Sequence, residues 1–356
     1  MNIPLRVLVL ADSRSFHTVR YVRELRNQGC RVVIASLEQG QMLHLHLKRI
    51  GSISPFHYLF AVYQVRKLIA LFKPDIVNAH FATGYGWLAA RACRKSGPPI
   101  LLHLWGSDIL QVPQKSFLHR RKAVTALRSA SMIMGDSSYL LNRARELSPF
   151  EKSQVVYWGM ERKYLALWRP ERDLNHPLRI IMPRHHEPVY NNEFALRALA
   201  PMLSAGIVTI TVPNWGSLVG RFRSVCEELG LTGVNFYPRQ SRDRFMSLLS
   251  THDVYLSSAL SDSSPASLIE ACGLGLIPVC VDIPGVREWV DPDSGSLVQP
   301  GDGESLRQAV ARILESPDAC KARRQKNHDR VLQEAIFENN IAQTISAMLS
   351  ISKGDS

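Results

Sequence analysis

Short apolar runs alternate with helical periods along nearly the whole chain, and the alternation breaks once and then restarts. Leu5 to Ala11 reads as a buried strand, Ser15 to Gln28 as an amphipathic helix closed by Gly29, and Arg31 to Ser36 as the next strand. Further strands are predicted at Asp75–Ala79, Ile100–Leu104, Met132–Gly135 and Gln154–Tyr157, with helices between, notably Gly84–Lys95 and Ser137–Leu147. At Trp158-Gly159 the pattern gives way to a polar stretch ending near Pro177, and it resumes with a strand over Leu178–Pro183. Strands then follow at Ile207–Val212, Val234–Tyr237, Val254–Leu256, Ile277–Val281 and Ser296–Val298. Such alternation predicts two α/β domains, each a mostly parallel, doubly wound sheet covered on both faces. The division is residues 1–159, residues 160–335, and a C-terminal helix over 336–356 returning to the first domain. Open parallel sheets bind ligands at the carboxyl ends of their strands, so two facing sheets would hold a ligand in the cleft between them.

Bulk properties narrow the function classes. At 356 residues with 46% hydrophobic content the chain can fill two cores. Six cysteines lie far apart with no CxxC pair, which argues against a zinc or disulfide framework and fits a reducing compartment. The opening MNIPLRVLVLAD has an apolar run stopped by Asp12, too short for a signal peptide, and no run is long enough to span a membrane. The expected location is cytoplasmic, or peripheral on the inner face of the membrane. A net charge of +12 calls for an anionic partner. The basic stretches Leu47–Arg49, Arg66–Lys73 and Lys115–Arg128 all fall in the first domain, where Phe56, Leu59 and Phe60 would assist contact with an anionic membrane surface. A solvated helix face fits the same stretches equally well. Nucleic acid is a poorer partner, because no recognised motif accompanies the charge and no aromatics are interleaved with it.

The segment SDSSPASLIEACGLGLIPV carries Asp262 and Glu270 in an acid-x7-acid spacing. Ala266, Ile269, Cys272 and Gly273 recur at helical steps, Ser261 to Ser264 offer N-caps, and Pro265 suits the first helical position. A helix start of this kind favours an anion. Glu270, about one turn in, is placed to accept two vicinal hydroxyls while Asp262 approaches from the loop, a layout suited to a ribose-diphosphate-sugar ligand. The spacing alone also fits a surface acid and a capping acid. Asp291-Pro-Asp293 is formally a DxD but has turn composition, and His44-Leu-His46 lacks a third ligand nearby, so no metal is expected. The absence of GxxxxGK[ST] removes P-loop chemistry.

With both halves in view, KPDIVNAHFATGYGWLAA, HLWGSDIL, VYWGMERKYLALWRP and SSALSDSSPASLIEACGLGLIPVCVDIPGVREWV resemble the retaining glycosyltransferases of family 4. The resemblance runs nearly end to end and implies the GT-B fold of two facing Rossmann-like domains with the active site in the cleft. It implies that Asp262 lies beside the donor sugar, that Glu270 binds the ribose, and that the backbone at Ser264, Pro265 and Ala266 meets the diphosphate. Arg184, in IIMPRHHEPVYNNEF, matches the diphosphate-clamping Arg. Three departures stand out. Asp replaces the commoner Glu at 262. Tyr190 or Asn191 falls where a clamping Lys is usual; His185 and His186 would partly compensate if protonated, though two adjacent loop histidines also fit a solvent-exposed pair, and Arg239 is a further donor-side candidate. Trp105 replaces a cleft His, leaving His103 and Asp108 as catalytic candidates; His103 also fits a core histidine, and Asp108 a helix cap. His17 and His80, at strand carboxyl ends, join Trp105 on the acceptor side. The implied function is sugar transfer, with retention and without metal or other cofactor, from a nucleoside-diphosphate sugar to a saccharide or lipid-linked acceptor of a surface glycan. A non-catalytic nucleotide-sugar-binding subunit and a nucleotide-sugar epimerase remain open on the same fold.

Overall fold

The computed structural model describes residues 4–40, 42, 44–48, 56–93 and 97–352, without the side chains of 56–59. Arg49, Lys95 and the side chains of Phe56 and Leu59, named above, lie outside the described residues. Contacts divide the chain into two compact units, the first built from the chain up to Tyr157 and again from Glu338, the second from Trp158–Phe337. These crossings differ from 159 and 336 for a local reason. Met160 N–H donates to Ala335 O and Phe337 N–H donates to Met160 O, each at 2.9 Å, which ties both ends of the segment into the second unit.

In the first unit the strands are β1 (Arg6–Leu10), β2 (Arg31–Ser36), β3 (Leu45–His46), β4 (Ile76–His80), β5 (Ile100–His103), β6 (Met132–Gly135) and β7 (Ser153–Val155). All pair in parallel, in the order β3-β2-β1-β4-β5-β6-β7. The two-residue β3 was read only as a His-x-His spacing; its shortness at a sheet edge leaves no periodic signal. The second unit holds β8 (Leu178–Ile181), β9 (Val208–Pro213), β10 (Val234–Tyr237), β11 (Val254–Ser257), β12 (Ile277–Val281) and β13 (Ser296–Val298). Its parallel order is β10-β9-β8-β11-β12-β13.

The continuous apolar runs of the sequence follow from this architecture. β4, β5, β11 and β12 are buried at every position, as strands covered on both faces must be. In each unit the strand order reverses once, between β1 and β4 and between β8 and β11. Crevices at such switch points are where open α/β sheets bind ligands. The helix expected over Gly84–Lys95 begins differently: a π-helical turn over Phe81–Gly86 leads into the α-helix Trp87–Ala92. No helix among the described residues is long and apolar enough to cross a membrane.

Candidate functional site

In the second unit, β8 and β11 deliver Arg184 and Asp262 to the switch point. Beyond β8 the chain turns through Pro188–Tyr190, and this turn is fastened to the loop after β11. Leu260 N–H donates to Val189 O at 2.8 Å, and Ser258 Oγ donates to Tyr190 O at 2.9 Å. Arg184 Nη2 then lies 2.8 Å from Asp262 Oδ2 and donates to Tyr190 Oη at 2.9 Å, with its guanidinium over the Tyr190 ring at 4.3 Å. Burial pulls the Arg184 pKa down, but Asp262, Tyr190 and Tyr255 outweigh it and hold the group above the ordinary arginine value. Tyr190, one of the two residues that fall where the resemblance expects a Lys, therefore adds a hydroxyl and a π-face to Arg184 but no second positive charge.

The backbone of the loop is set by close packing. A Cβ on Gly285 would lie 2.2 Å from both Asp262 O and Ser263 O, so the Pro284-Gly285 turn can seat against that loop only without a side chain. The helix that follows runs Ala266–Gly273, with Pro265 as its N-cap in extended conformation. This corrects the expected capping: Pro265 is not the first helical residue, and none of Ser261 to Ser264 is the cap. Ser264 is buried, and its Oγ has no hydrogen-bond partner among the described residues; Arg184 Nε and Gln240 Nε2 are likewise buried without one. Buried polar atoms of this kind are rare in folded proteins and ask for an explanation.

Glu270 is 2% exposed, and its carboxylate is gripped by Arg242 through both terminal guanidinium nitrogens, Nη1 donating at 2.9 Å. Arg242 Nε also stands 3.7 Å from Glu161 Oε2, so one guanidinium bridges two carboxylates. Burial lowers the Arg242 pKa, and Glu270, with Glu161 and Tyr164, more than restores it. Sequence reasoning named Arg239 and missed Arg242. Arg239 is exposed, lying over the Trp215 ring at 5.2 Å. A signal for Arg242 did exist: it opens the helix Arg242–Leu249 behind the cap Ser241, where a cation opposes the helix dipole and needs another partner.

His185 and His186 do not stand as a solvent-exposed pair. His186 is buried, with Nε2 2.9 Å from Pro213 O and Nδ1 3.3 Å from Asn192 Nδ2, and Asn192 Nδ2 also donates to Arg184 O at 3.0 Å. A Cβ on Gly216, at φ 125°, would lie 2.4 Å from the His186 backbone. Burial, first of all, lowers the pKa of both histidines, and Arg184 lowers that of His185 further. His186 is thus a structural support under Arg184 rather than a substitute cation.

In the first unit, His17, Trp105, His80 and His103 do converge, through ring contacts. His17 meets Trp105 at 5.5 Å, His80 meets Trp105 at 5.5 Å and His103 at 5.0 Å, and Tyr21 packs on both His80 and His103. His80 is fully buried as the last residue of β4, not beyond its end. Its pKa is driven well below 6.5 by burial and then by His103. His103 is buried too, with Nδ1 3.0 Å from Asn78 Nδ2 and its pKa pushed down by burial to about 3. Both rings are neutral core groups at ordinary pH. Half-buried His17 and Trp105 are the members of this cluster that reach the surface. Trp105 stacks on Phe81 at 5.3 Å, and Phe81 takes φ 66°, an uncommon conformation for so bulky a residue.

Asp108 lies in the short helix Ser107–Leu110 instead of a loop, and it is buried. One carboxylate oxygen accepts from Trp105 N–H at 2.9 Å and the other from Ala82 N–H at 2.7 Å. Burial raises its pKa to about 6 in spite of these bonds. It pins the Trp105 turn to the chain after β4. Asp291, for its part, accepts from the N–H groups of Asp293 and Ser294, a closed turn, and Asp293 pairs with Lys326 at 3.1 Å.

Comparison with known proteins gives this geometry a context. Residues 6–137 match the family described as Glycosyl transferase 4-like, and residues 215–330 match Glycosyl transferases group 1. The Bacillus subtilis (strain 168) protein TuaC, named as a glycosyltransferase of teichuronic acid biosynthesis, is 24% identical over 242 residues, 67% of this chain. The match spans 61% of that relative's length. Among solved structures, sucrose-phosphate synthase from Thermosynechococcus elongatus superposes with a TM-score of 0.83 at 14% identity, over 99% of this chain and 100% of that one. Anabaena HepE in complex with UDP-glucose superposes with a TM-score of 0.77 at 17% identity, over 96% and 100%. From these family matches, together with the fold, the chain belongs to the group 1, family 4-like glycosyltransferases of the GT-B fold.

Proposed function

We propose that the chain transfers a sugar, with retention of anomeric configuration, from a nucleoside-diphosphate sugar to a hydroxyl of a surface-glycan or lipid-linked saccharide acceptor. The observation carrying this reading is the cluster at the second unit's switch point. Arg184 and Asp262 are paired at 2.8 Å, beside buried and unpartnered Arg184 Nε, Ser264 Oγ and Gln240 Nε2, at the start of the helix that bears Glu270. A diphosphate answers such a set: its oxygens accept from Arg184 Nε, Gln240 and the helix N–H groups, and a ribose diol bonds Glu270. HepE, of the same fold, is known with UDP-glucose, which supports a nucleotide-sugar donor. TuaC's name supports an acceptor in cell-surface polysaccharide synthesis.

In the proposed reaction the C1–O bond to the donor β-phosphate breaks while the acceptor oxygen bonds C1 on the same face. The acceptor proton passes to the departing phosphate oxygen. Arg184 and the helix start stabilise the charge that grows on the leaving diphosphate, so neither a metal nor another cofactor is required. Asp262, freed from Arg184 as the diphosphate takes its place, turns toward the sugar hydroxyls.

A thermal-shift panel of nucleoside diphosphates and their sugars tests the donor. A ligand at about a hundred times its Kd should add about 2.7 kcal/mol of stability. Silence across the whole panel, with the protein folded, would end the reading. Transfer to a supplied saccharide acceptor separates a transferase from a binding subunit or an epimerase, and the product's anomer reports retention.

A further inference from the structure

We propose that the tip of the first unit formed by Lys115 to Lys122 docks on an anionic lipid bilayer, with Phe117 and Leu118 entering the headgroup layer. These residues open the helix Phe117–Ser129, and they are 73% and 67% exposed, adjacent in sequence and covering no part of the core. The N-cap Ser116 accepts from His119 N–H, so the fold fixes this end of the helix. Exposed Lys115, Arg120 and Arg121 flank the apolar pair. The helix start adds its own partial positive charge.

The part of the first unit's sequence that carries this tip is strongly basic. Between residues 39 and 135 the sequence has thirteen Lys and Arg against two Asp and no Glu. Asp75 pairs with Arg6 at 2.8 Å, and Asp108 is buried against backbone amides. An anionic bilayer satisfies both features at once, drawing in the cations and taking the apolar pair into its acyl boundary. Nucleic acid would satisfy only the charge, because Leu118 has no stacking face to offer a base.

The placement also makes sense of the acceptor class. A helix joining two parallel strands runs back from the carboxyl edge of the sheet to the amino edge. The first residues of Phe117–Ser129, between β5 and β6, thus stand at the edge that carries Trp105 and His17. The docking surface itself is read without donor, acceptor or turnover, so its failure and that of the proposed transfer are separate results.

The test uses the full chain and sucrose-loaded vesicles of phosphatidylcholine alone or with phosphatidylglycerol, at about 0.1 M salt, where charges still act over about 10 Å. The chain should sediment with phosphatidylglycerol vesicles and stay behind with phosphatidylcholine alone. Arg120→Gln with Arg121→Gln should lower partition about 25-fold, about fivefold per charge. Phe117→Ser with Leu118→Ser should lower it about tenfold or more, and the remainder should vanish in high salt. In the wild-type background Leu118→Trp should show blue-shifted emission on phosphatidylglycerol vesicles and none on phosphatidylcholine. Circular dichroism and melting should be unchanged in every variant, since the substituted side chains are exposed. Wild-type protein that ignores phosphatidylglycerol vesicles overturns the proposal, as does undiminished binding by the Phe117/Leu118 variant or an unshifted Leu118→Trp. Binding to single-stranded nucleic acid without binding to vesicles would overturn it equally.

Discussion

Two demands meet at Arg184. Asp262 holds it at 2.8 Å and Tyr190 stacks on it, while the proposed donor needs the same guanidinium for its diphosphate. With no second cation at the Tyr190 position, Arg184→Ala should cut turnover by about 10² to 10³, with a smaller effect on donor affinity. Arg184→Lys should recover only part of the loss, because a point charge lacks the bidentate fork. Steady-state kinetics with saturating acceptor checks this; a turnover within about threefold of the parent would remove Arg184 from the chemistry. Glu270→Ala should weaken nucleotide binding by about 1.5 to 3 kcal/mol in titration calorimetry, the range for a hydrogen bond to a charged group. Arg242→Ala should act through stability instead. It leaves the Glu270 carboxylate buried and unpaired, which costs about 3 kcal/mol or more, whereas removing both partners should cost less than the sum of the single losses. Melting of the two single variants and the double one decides the point. Arg184, Asp262 and Glu270 were named from the sequence through the family resemblance, and the fold brings Arg184 and Asp262 together at 2.8 Å. For Arg242 the sequence shows only a cation at a helix start; its partner Glu270 is 28 residues away, and only the fold brings them together.

At the scale of the element, the turn after β5 answers a different question. Asp108 binds the N–H groups of Trp105 and Ala82, which joins the chain following β5 to the chain following β4. Its pKa of about 6 lies above the ordinary 3.8 of an aspartate, because burial outweighs those bonds. The folded state therefore keeps a proton between pH 6 and 4 that the unfolded chain has released, and the stability contributed by Asp108 falls as pH rises through that window. Asp108→Asn should flatten this part of the stability profile. It should also lower stability by about 1 to 3 kcal/mol overall, since a carboxamide offers one acceptor oxygen to two buried N–H groups. Urea melts at a series of pH values test both effects. The location of Asp108 beyond a strand end was readable, but its role was not. A carboxylate serving one backbone amide three residues before it and another 26 residues before it leaves no mark on local periodicity. The Phe81 turn was hidden for the same reason: positive φ at a phenylalanine is held by stacking on Trp105, a contact across strands.

For the molecule as a whole, the repeated strand-helix rhythm was enough to give both sheets, since buried parallel strands are continuous apolar runs. β3, with two residues, was too short to show. EDTA should leave transfer unaffected if the charge on the leaving group is met by Arg184 and the Ala266 helix start; activity lost to chelation and restored by manganese would contradict that mechanism. The chain order has a further consequence, one for the timing of synthesis. The first unit is discontinuous: its last segment, from Glu338 in the helix Phe337–Ser352, comes after all 180 residues of Trp158–Phe337. Asn340 Nδ2 bonds Tyr157 O at 2.9 Å, Gln28 Nε2 bonds Glu338 O at 2.8 Å, and Ile341, Met348 and Ile351 are buried. On the ribosome the inserted unit is therefore complete before the unit that was begun first, and that earlier unit must wait with an apolar surface uncovered. A released chain truncated after residue 337 should resist protease over 158–337 and be cut within 1–157.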